Sequence, residues 1–340
     1  MLMQRNLNIH QHAFAELNQY VSDTCKGVGA SASSVLVIHN GTIVNEWYSG
    51  FHEHGKDSRK VDAESQFNVA SVRKTYLALA ISLALCEKRI SSIDDLAVRY
   101  LNNADIDERS AGSTTIRHLL THTHGLNSAG ETIFAAGTDW EYNNAGVNLL
   151  LRIVRNVFHK PLARVVEERL LVPYGLDRTG WRKEKSPELV WPGESYGGDT
   201  GEEANLFVST RELAYWGYIN LMQGSVDGCQ LLPKAVFEQA TAIATPSMLD
   251  ESLPRNGFFW WVQDRPRPDS EIGEQLPLGS YQALGLYGNA VLIIPEHQVV
   301  AVRMLNQTGG NPPGYNYIKD IQRFGNLVLE CVLDMNRQML

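Results

Sequence analysis

The feature that most constrains this chain is the uncharged run Thr75-Tyr76-Leu77-Ala78-Leu79-Ala80-Ile81-Ser82-Leu83-Ala84-Leu85. Leu77, Ile81 and Leu85 recur at four-residue spacing, and Tyr76, Leu79 and Leu83 at three and four, so the run predicts a helix. A helix apolar on nearly every face is a core element rather than a surface one. With 340 residues the chain is long enough to bury it, in one large domain or two. Just upstream, Gln66-Phe67-Asn68-Val69-Ala70 reads as a short extended segment. Ser71 is thereby predicted at the helix start, with Lys74 one turn on and on the same face. A serine and a lysine held there are the parts of an activated nucleophile, and the amides at a helix N-terminus help to stabilise an oxyanion. The spacing alone is weak, since residue usage yields about one S-x-x-K by chance in a chain this long. A serine helix cap followed by a solvated lysine fits the same letters.

Composition excludes some functions. The formal charge is −8, from 30 Lys+Arg against 38 Asp+Glu, and no basic cluster is present, so nucleic acid is not an expected partner. No apolar run reaches membrane-spanning length, and Met1 to Lys26 lacks a signal core, so neither a membrane anchor nor export is expected. Cys25, Cys86, Cys229 and Cys331 lie far apart with no C-x-x-C spacing, which suits free thiols and a cytoplasmic location.

Along the chain, Ile9, Ala13, Phe14, Leu17, Tyr20 and Val21 predict an amphipathic first helix. Ser34 to Ile38 and Thr42 to Tyr48 predict a hairpin turning at Asn40-Gly41. From about 75 to 240 the pattern is mainly helical, including Thr115 to His122, Ala145 to Phe158, Leu162 to Leu171 and Thr210 to Met222. Strand signals return at Gly257 to Gln263, Ala290 to Ile294 and Val299 to Leu305, before a closing helix from Tyr317 to Met335. The economical architecture is α+β. Residues 1–74 and 241–340 form an α/β domain with an antiparallel sheet flanked by the terminal helices, and residues 75–240 form an inserted helical domain. The site is expected at their junction.

The second chemical motif is Trp140-Glu141-Tyr142-Asn143-Asn144-Ala145-Gly146, a loop entering an aliphatic helix. A loop tyrosine serves as acid or base when a cation lowers its pKa, and an asparagine can hold a substrate amide. Before it stands Thr115-Ile116-Arg117-His118-Leu119-Leu120-Thr121-His122-Thr123-His124-Gly125-Leu126, and after it Pro173-Tyr174-Gly175-Leu176-Asp177-Arg178-Thr179. These motifs, in this order, resemble the β-lactamase-related serine hydrolases over about residues 14 to 335. That group includes class C β-lactamases, penicillin-binding DD-peptidases, family VIII esterases and nylon-oligomer hydrolases. The resemblance implies a β-lactamase/DD-peptidase fold and an acyl-enzyme on Ser71. Lys74 and Tyr142 would shuttle the proton and Asn144 would line the cleft; no cofactor is implied. The expected partner is a small ester, amide or peptide substrate, and the oligomeric state is open. A penicillin-binding or peptidoglycan-sensing protein that acylates slowly is the alternative.

The chain departs from the pattern at the third motif, where relatives carry Lys or His on a strand facing the serine. The best match here is Ala283-Leu284-Gly285, continuing as Leu286-Tyr287-Gly288-Asn289. Gly285 lets substrate approach the strand, and the Leu286 N–H would be a second oxyanion donor. Ala283 removes the cation expected to face a substrate carboxylate, unless Arg303 or a loop residue supplies one. A further departure is His124, where relatives have a small residue. His118, His122 and His124 also raise a metal reading, but no acid or cysteine nearby completes a ligand set, so none is expected to hold metal. His52 and His54 are expected to be solvated.

Overall fold

The computed structural model describes residues 7–55, 57–102, 112–190, 205–267, 270–307 and 310–338. Asn40 and Gly41 both take positive φ, 50° and 74°, the conformation that lets a two-residue turn follow the twist of its strands. They join β1 (Ala32–His39) to β2 (Thr42–Gly50). Four later strands extend this hairpin: β9 (Trp261–Val262), β10 (Tyr281–Gly285), β11 (Asn289–Ile294) and β12 (Val299–Leu305). The order is β2-β1-β12-β11-β10-β9, and every neighbouring pair is antiparallel.

Both faces of this sheet are covered, and side chains alternate between two apolar cores. Val35, Val37, Leu292, Ile294 and Ala301 meet the terminal helices α1 (Ala15–Gly27) and α8 (Tyr317–Gln338). Leu36, Ile38, Val291, Ile293 and Val300 join the core of the helical half. That half contains α2 (Lys74–Cys86), α3 (Ile116–Leu120), α4 (Asn144–Phe158), α5 (Leu162–Val166), α6 (Thr210–Leu221) and α7 (Lys234–Thr241). Helix α6 lies directly on the sheet. A Cβ on its Gly217 would come within 2.5 Å of Val300 Cγ1, so the glycine sets how closely helix and sheet approach. Every residue of α2 from Lys74 to Ala84 is buried, in keeping with the uncharged run that follows Lys74.

Residues 75–240 are not helical throughout. They supply β4 (Thr179–Trp181), β5 (Leu189–Val190) and β6 (Leu206–Ser209), which form a second sheet with β3 (Gln66–Asn68) in the order β4-β6-β3-β5. Strands of two to four residues are too short to show a period. Their effect is to fix β3, which is antiparallel to β6 and parallel to β5. Among the described residues a third ladder is the ribbon β7 (Ser225–Val226) with β8 (Cys229–Gln230). The aromatic run at 257–263 contributes only Trp261 and Val262 to a strand. Its first half turns, with the Gly257 N–H donating to Trp260 O at 2.8 Å, and Phe258, Phe259 and Trp260 fill the helical core. The four cysteines are free thiols, and no helix among the described residues is long and apolar enough to cross a membrane.

Candidate active site

Ser71 lies in a 3-10 turn, Ala70–Arg73, that precedes α2 rather than in the α-helix itself. This refines the sequence reading. In a 3-10 turn residues i and i+3 are eclipsed, so Lys74 stands directly over Ser71. The bend from β3 into the turn is sharp. Ala70 takes φ +46°, and its N–H donates to Asn68 Oδ1 at 2.9 Å. A left-handed alanine is strained, and such strain persists only where the surroundings enforce it.

Lys74 Nζ lies 2.7 Å from Ser71 Oγ and 2.5 Å from the Tyr142 hydroxyl, and that hydroxyl donates to Ser71 Oγ at 2.7 Å. The three polar atoms close a triangle. Lys74 is 2% exposed, and its ammonium form is disfavoured first by burial and then by the charge on Arg73, which bring its pKa down to about 6. Burial moves the Tyr142 phenol upward, against smaller lowering contributions from Ser71 and Arg73. Near neutral pH these shifts leave an uncharged amine beside a protonated phenol.

The Tyr142 ring is held by neighbours that its motif does not reveal. His122 packs at a centroid distance of 4.5 Å, and Trp261 of β9 stacks at 6.3 Å. Burial keeps His122 neutral, with its pKa well below the ordinary range. In the same loop Trp140 Nε1 donates to Asn256 Oδ1 at 3.0 Å. Asn143 caps α4 by accepting the Ala145 N–H at 2.8 Å, and Asn144 stands exposed at the first position of that helix. His124 packs against Gly146, where a Cβ would meet its ring at 2.5 Å, so the larger residue at 124 is accommodated by a glycine on α4.

Two of the three clustered histidines use Nδ1 locally. His118 Nδ1 accepts the Thr115 N–H at 3.2 Å in a capping box, and His124 Nδ1 accepts the Leu126 N–H at 3.0 Å. Among the described residues no group of three His, Cys, Asp or Glu side chains is placed to hold an ion. Elsewhere, His54 is exposed but His52 is not solvated. His52 is buried between Leu189 O at 3.0 Å and Ser65 Oγ at 2.8 Å.

The third motif reaches the serine through its glycine. A Cβ on Gly285 would lie 2.2 Å from Val69 O, so only glycine lets β10 end against the backbone that leads into Ser71. Ala283 is buried on the helical side of β10, paired across from Val291. The Leu286 side chain is 69% exposed, and Tyr287 takes φ 73° in the turn that follows. Asn289, unremarked in the sequence, fixes this turn: its Nδ2 donates to Leu286 O at 3.0 Å and to Asn68 O at 2.9 Å. Arg303 does not supply the missing cation. It is fully buried, its guanidinium pairs with Asp320 of α8 at 2.8 and 3.0 Å, and its Nε donates to Gly288 O at 2.8 Å.

This fold agrees with comparison to known proteins. The model of the beta-lactamase family matches residues 17–321, and the chain belongs to that family, with a β-lactamase/DD-peptidase fold. An uncharacterised protein of Alkalihalophilus pseudofirmus is 40% identical over 324 residues, spanning 92% of this chain and 95% of that protein. Among solved structures, the hydrolase EstCE1, titled as having promiscuous acyltransferase activity, superposes with a TM-score of 0.70 at 17% identity over 93% of this chain and 99% of its own. A class C β-lactamase in complex with cefoxitin gives 0.72 at 16%, over 93% and 99%. At these identities the two structures speak for the fold alone.

Proposed function

We propose that this protein is a serine hydrolase that cleaves a small ester or amide through an acyl-enzyme on Ser71. The observation that carries the reading is the closed triangle of Ser71 Oγ, Lys74 Nζ and Tyr142 OH, with sides of 2.7, 2.5 and 2.7 Å. An uncharged Lys74 takes the Ser71 proton as Oγ attacks the carbonyl. The N–H groups of Ser71 and Leu286 hold the oxyanion. Tyr142 gives its proton to the leaving group and is reprotonated from Lys74. Water, activated by the same pair, then frees the acyl group and restores the serine.

The buried methyl of Ala283 argues against substrates that must present a carboxylate there, which include β-lactams and D-Ala-D-Ala peptides. Against the peptidoglycan-sensing alternative stands the intact triangle of Ser71, Lys74 and Tyr142. Turnover of p-nitrophenyl acetate, with covalent labelling by a fluorophosphonate probe, tests the assignment. Ser71→Ala should abolish both and leave the protein folded, since the turn takes no side-chain cap from Ser71. Labelling that persists at another serine would overturn the reading.

A further inference from the structure

Of the three residues in the triangle, Tyr142 is carried by a loop: residues 140–143 adopt no regular structure, and α4 begins only at Asn144. Side chains on loops are held less precisely than those on helices and strands, yet its hydroxyl stands 2.7 Å from Ser71 Oγ and 2.5 Å from Lys74 Nζ. One residue grips the loop on both sides of that ring. The His122 carbonyl accepts the Glu141 N–H at 3.0 Å, its imidazole packs on the Tyr142 ring at 4.5 Å, and its Nδ1 faces the Asn143 N–H at 3.5 Å. Three consecutive residues centred on Tyr142 thus meet a single histidine. Farther back along the loop, the Gly137 N–H donates to Thr123 O at 2.8 Å, beside that histidine in the chain.

His122 is itself fixed. It follows α3, is 1% exposed, and takes φ +58°, a left-handed conformation that histidine and asparagine adopt more readily than most side chains. Phe259 and Trp140 pack against its ring at 5.3 and 6.2 Å. The Phe259 N–H also donates to Leu120 O at 3.2 Å, so the aromatic turn before β9 is tied to the end of α3. With Nδ1 turned to an N–H, the proton of the neutral imidazole lies on Nε2. A buried, left-handed residue packed on a reacting side chain is strain placed where it can serve function.

We propose that His122 is the positioning residue for Tyr142, setting the loop so that the phenol hydroxyl reaches both Ser71 and Lys74. The inference rests on the hydrolase reading and adds to it a residue that acts through the Tyr142 side chain.

His122→Asn tests it, because asparagine tolerates the left-handed backbone and keeps an acceptor near the place of Nδ1 but removes the ring. The rate of Ser71 acylation by p-nitrophenyl acetate should fall by about 10-fold or more, the scale of a misplaced catalytic group. In a Tyr142→Phe background, where no hydroxyl remains to be aimed, the same substitution should cost little further. A merely structural role would instead give the same loss in both backgrounds. If His122→Asn fails to fold, His122→Phe, which keeps a ring and removes the acceptor, goes through the same cycle. Equal losses in the two backgrounds, or an unchanged acylation rate, would overturn the inference while sparing the hydrolase. If the unaltered protein neither turns over nor labels at Ser71, the hydrolase reading fails, and 19F NMR of 3-fluorotyrosine placed at position 142 decides the rest. A line that the His122 substitution broadens or splits upholds the placement of Tyr142 by His122, and a line that stays single and sharp overturns it.

Discussion

The Asn289 side chain spans the gap between the third-motif turn and the strand that delivers the nucleophile: Nδ2 donates to Asn68 O at 2.9 Å while Oδ1 accepts the Leu305 N–H at 3.1 Å. One buried amide therefore ties β3, β11 and β12 together behind Ser71. Asn289→Ala should cost about 1–3 kcal/mol of stability by leaving those backbone groups unpaired. It should also slow fluorophosphonate labelling of Ser71, because the turn bearing Leu286 loses its anchor. Thermal unfolding and labelling rates, measured together, check this. A destabilised protein whose labelling rate is unchanged would show that the amide supports the fold without positioning the site.

Lys74→Ala and Tyr142→Phe should each lower the acylation rate by about 100-fold or more, the usual scale for acid–base groups. Because the two side chains share one hydrogen-bonded triangle, the double variant should fall well short of the product of the single losses. Strictly multiplicative losses in pre-steady-state acylation would argue against a single proton relay.

The pH dependence follows from the direction of the Lys74 shift. A base must be deprotonated to act, and with Lys74 brought to about 6, kcat/KM on a neutral ester should rise through that region and level off by about pH 7. The descending limb requires ionisation of Tyr142, which burial has moved above the ordinary range for a phenol. The plateau should accordingly extend past neutrality into alkaline solution. A pH–rate profile whose ascending limb sits near that of a free lysine would mean that Lys74 remains charged.

Ala283 predicts a selectivity. Loss of a charge-assisted contact weakens the hold on a carboxylate by about 10- to 150-fold, while a neutral short-chain ester never needed it. Esterase activity with little nitrocefin hydrolysis is the expected pattern, and Ala283→Lys should improve carboxylate-bearing substrates selectively. Because position 283 is buried, the longer side chain will also cost stability, so the ratio of the two activities is the decisive quantity. Nitrocefin turnover by the unaltered protein that rivals its esterase activity would refute this account.

What the sequence made legible follows from the reach of its signals. The uncharged run after Lys74, the Asn40-Gly41 turn and the strand Val299–Leu305 are local patterns, and each appears where its pattern places it. The beta-lactamase family resemblance rested on linked motifs and is matched over residues 17–321. The 3-10 form of the Ser71 turn was not legible, because its bend depends on Asn68 and on β3 being clamped by β5 and β6. Nor did any local pattern mark His122, Trp261 or Asn289 as neighbours of the site. Each arrives from a distant segment, and what makes it matter is a ring contact or a carbonyl across a gap.

The Arg303–Asp320 pair carries a consequence for the far end of the chain. Asp320 belongs to α8, yet the guanidinium it neutralises also grips Gly288 O in the third-motif turn. The C-terminal helix is thus the ballast of the cleft as well as the cover of a sheet face. Shortening the chain before residue 320 would leave a fully buried cation without its counter-ion, and breaking such pairs costs about 3–5 kcal/mol. Damage at the tail would therefore be felt first near Leu286, where the proposed oxyanion donor sits.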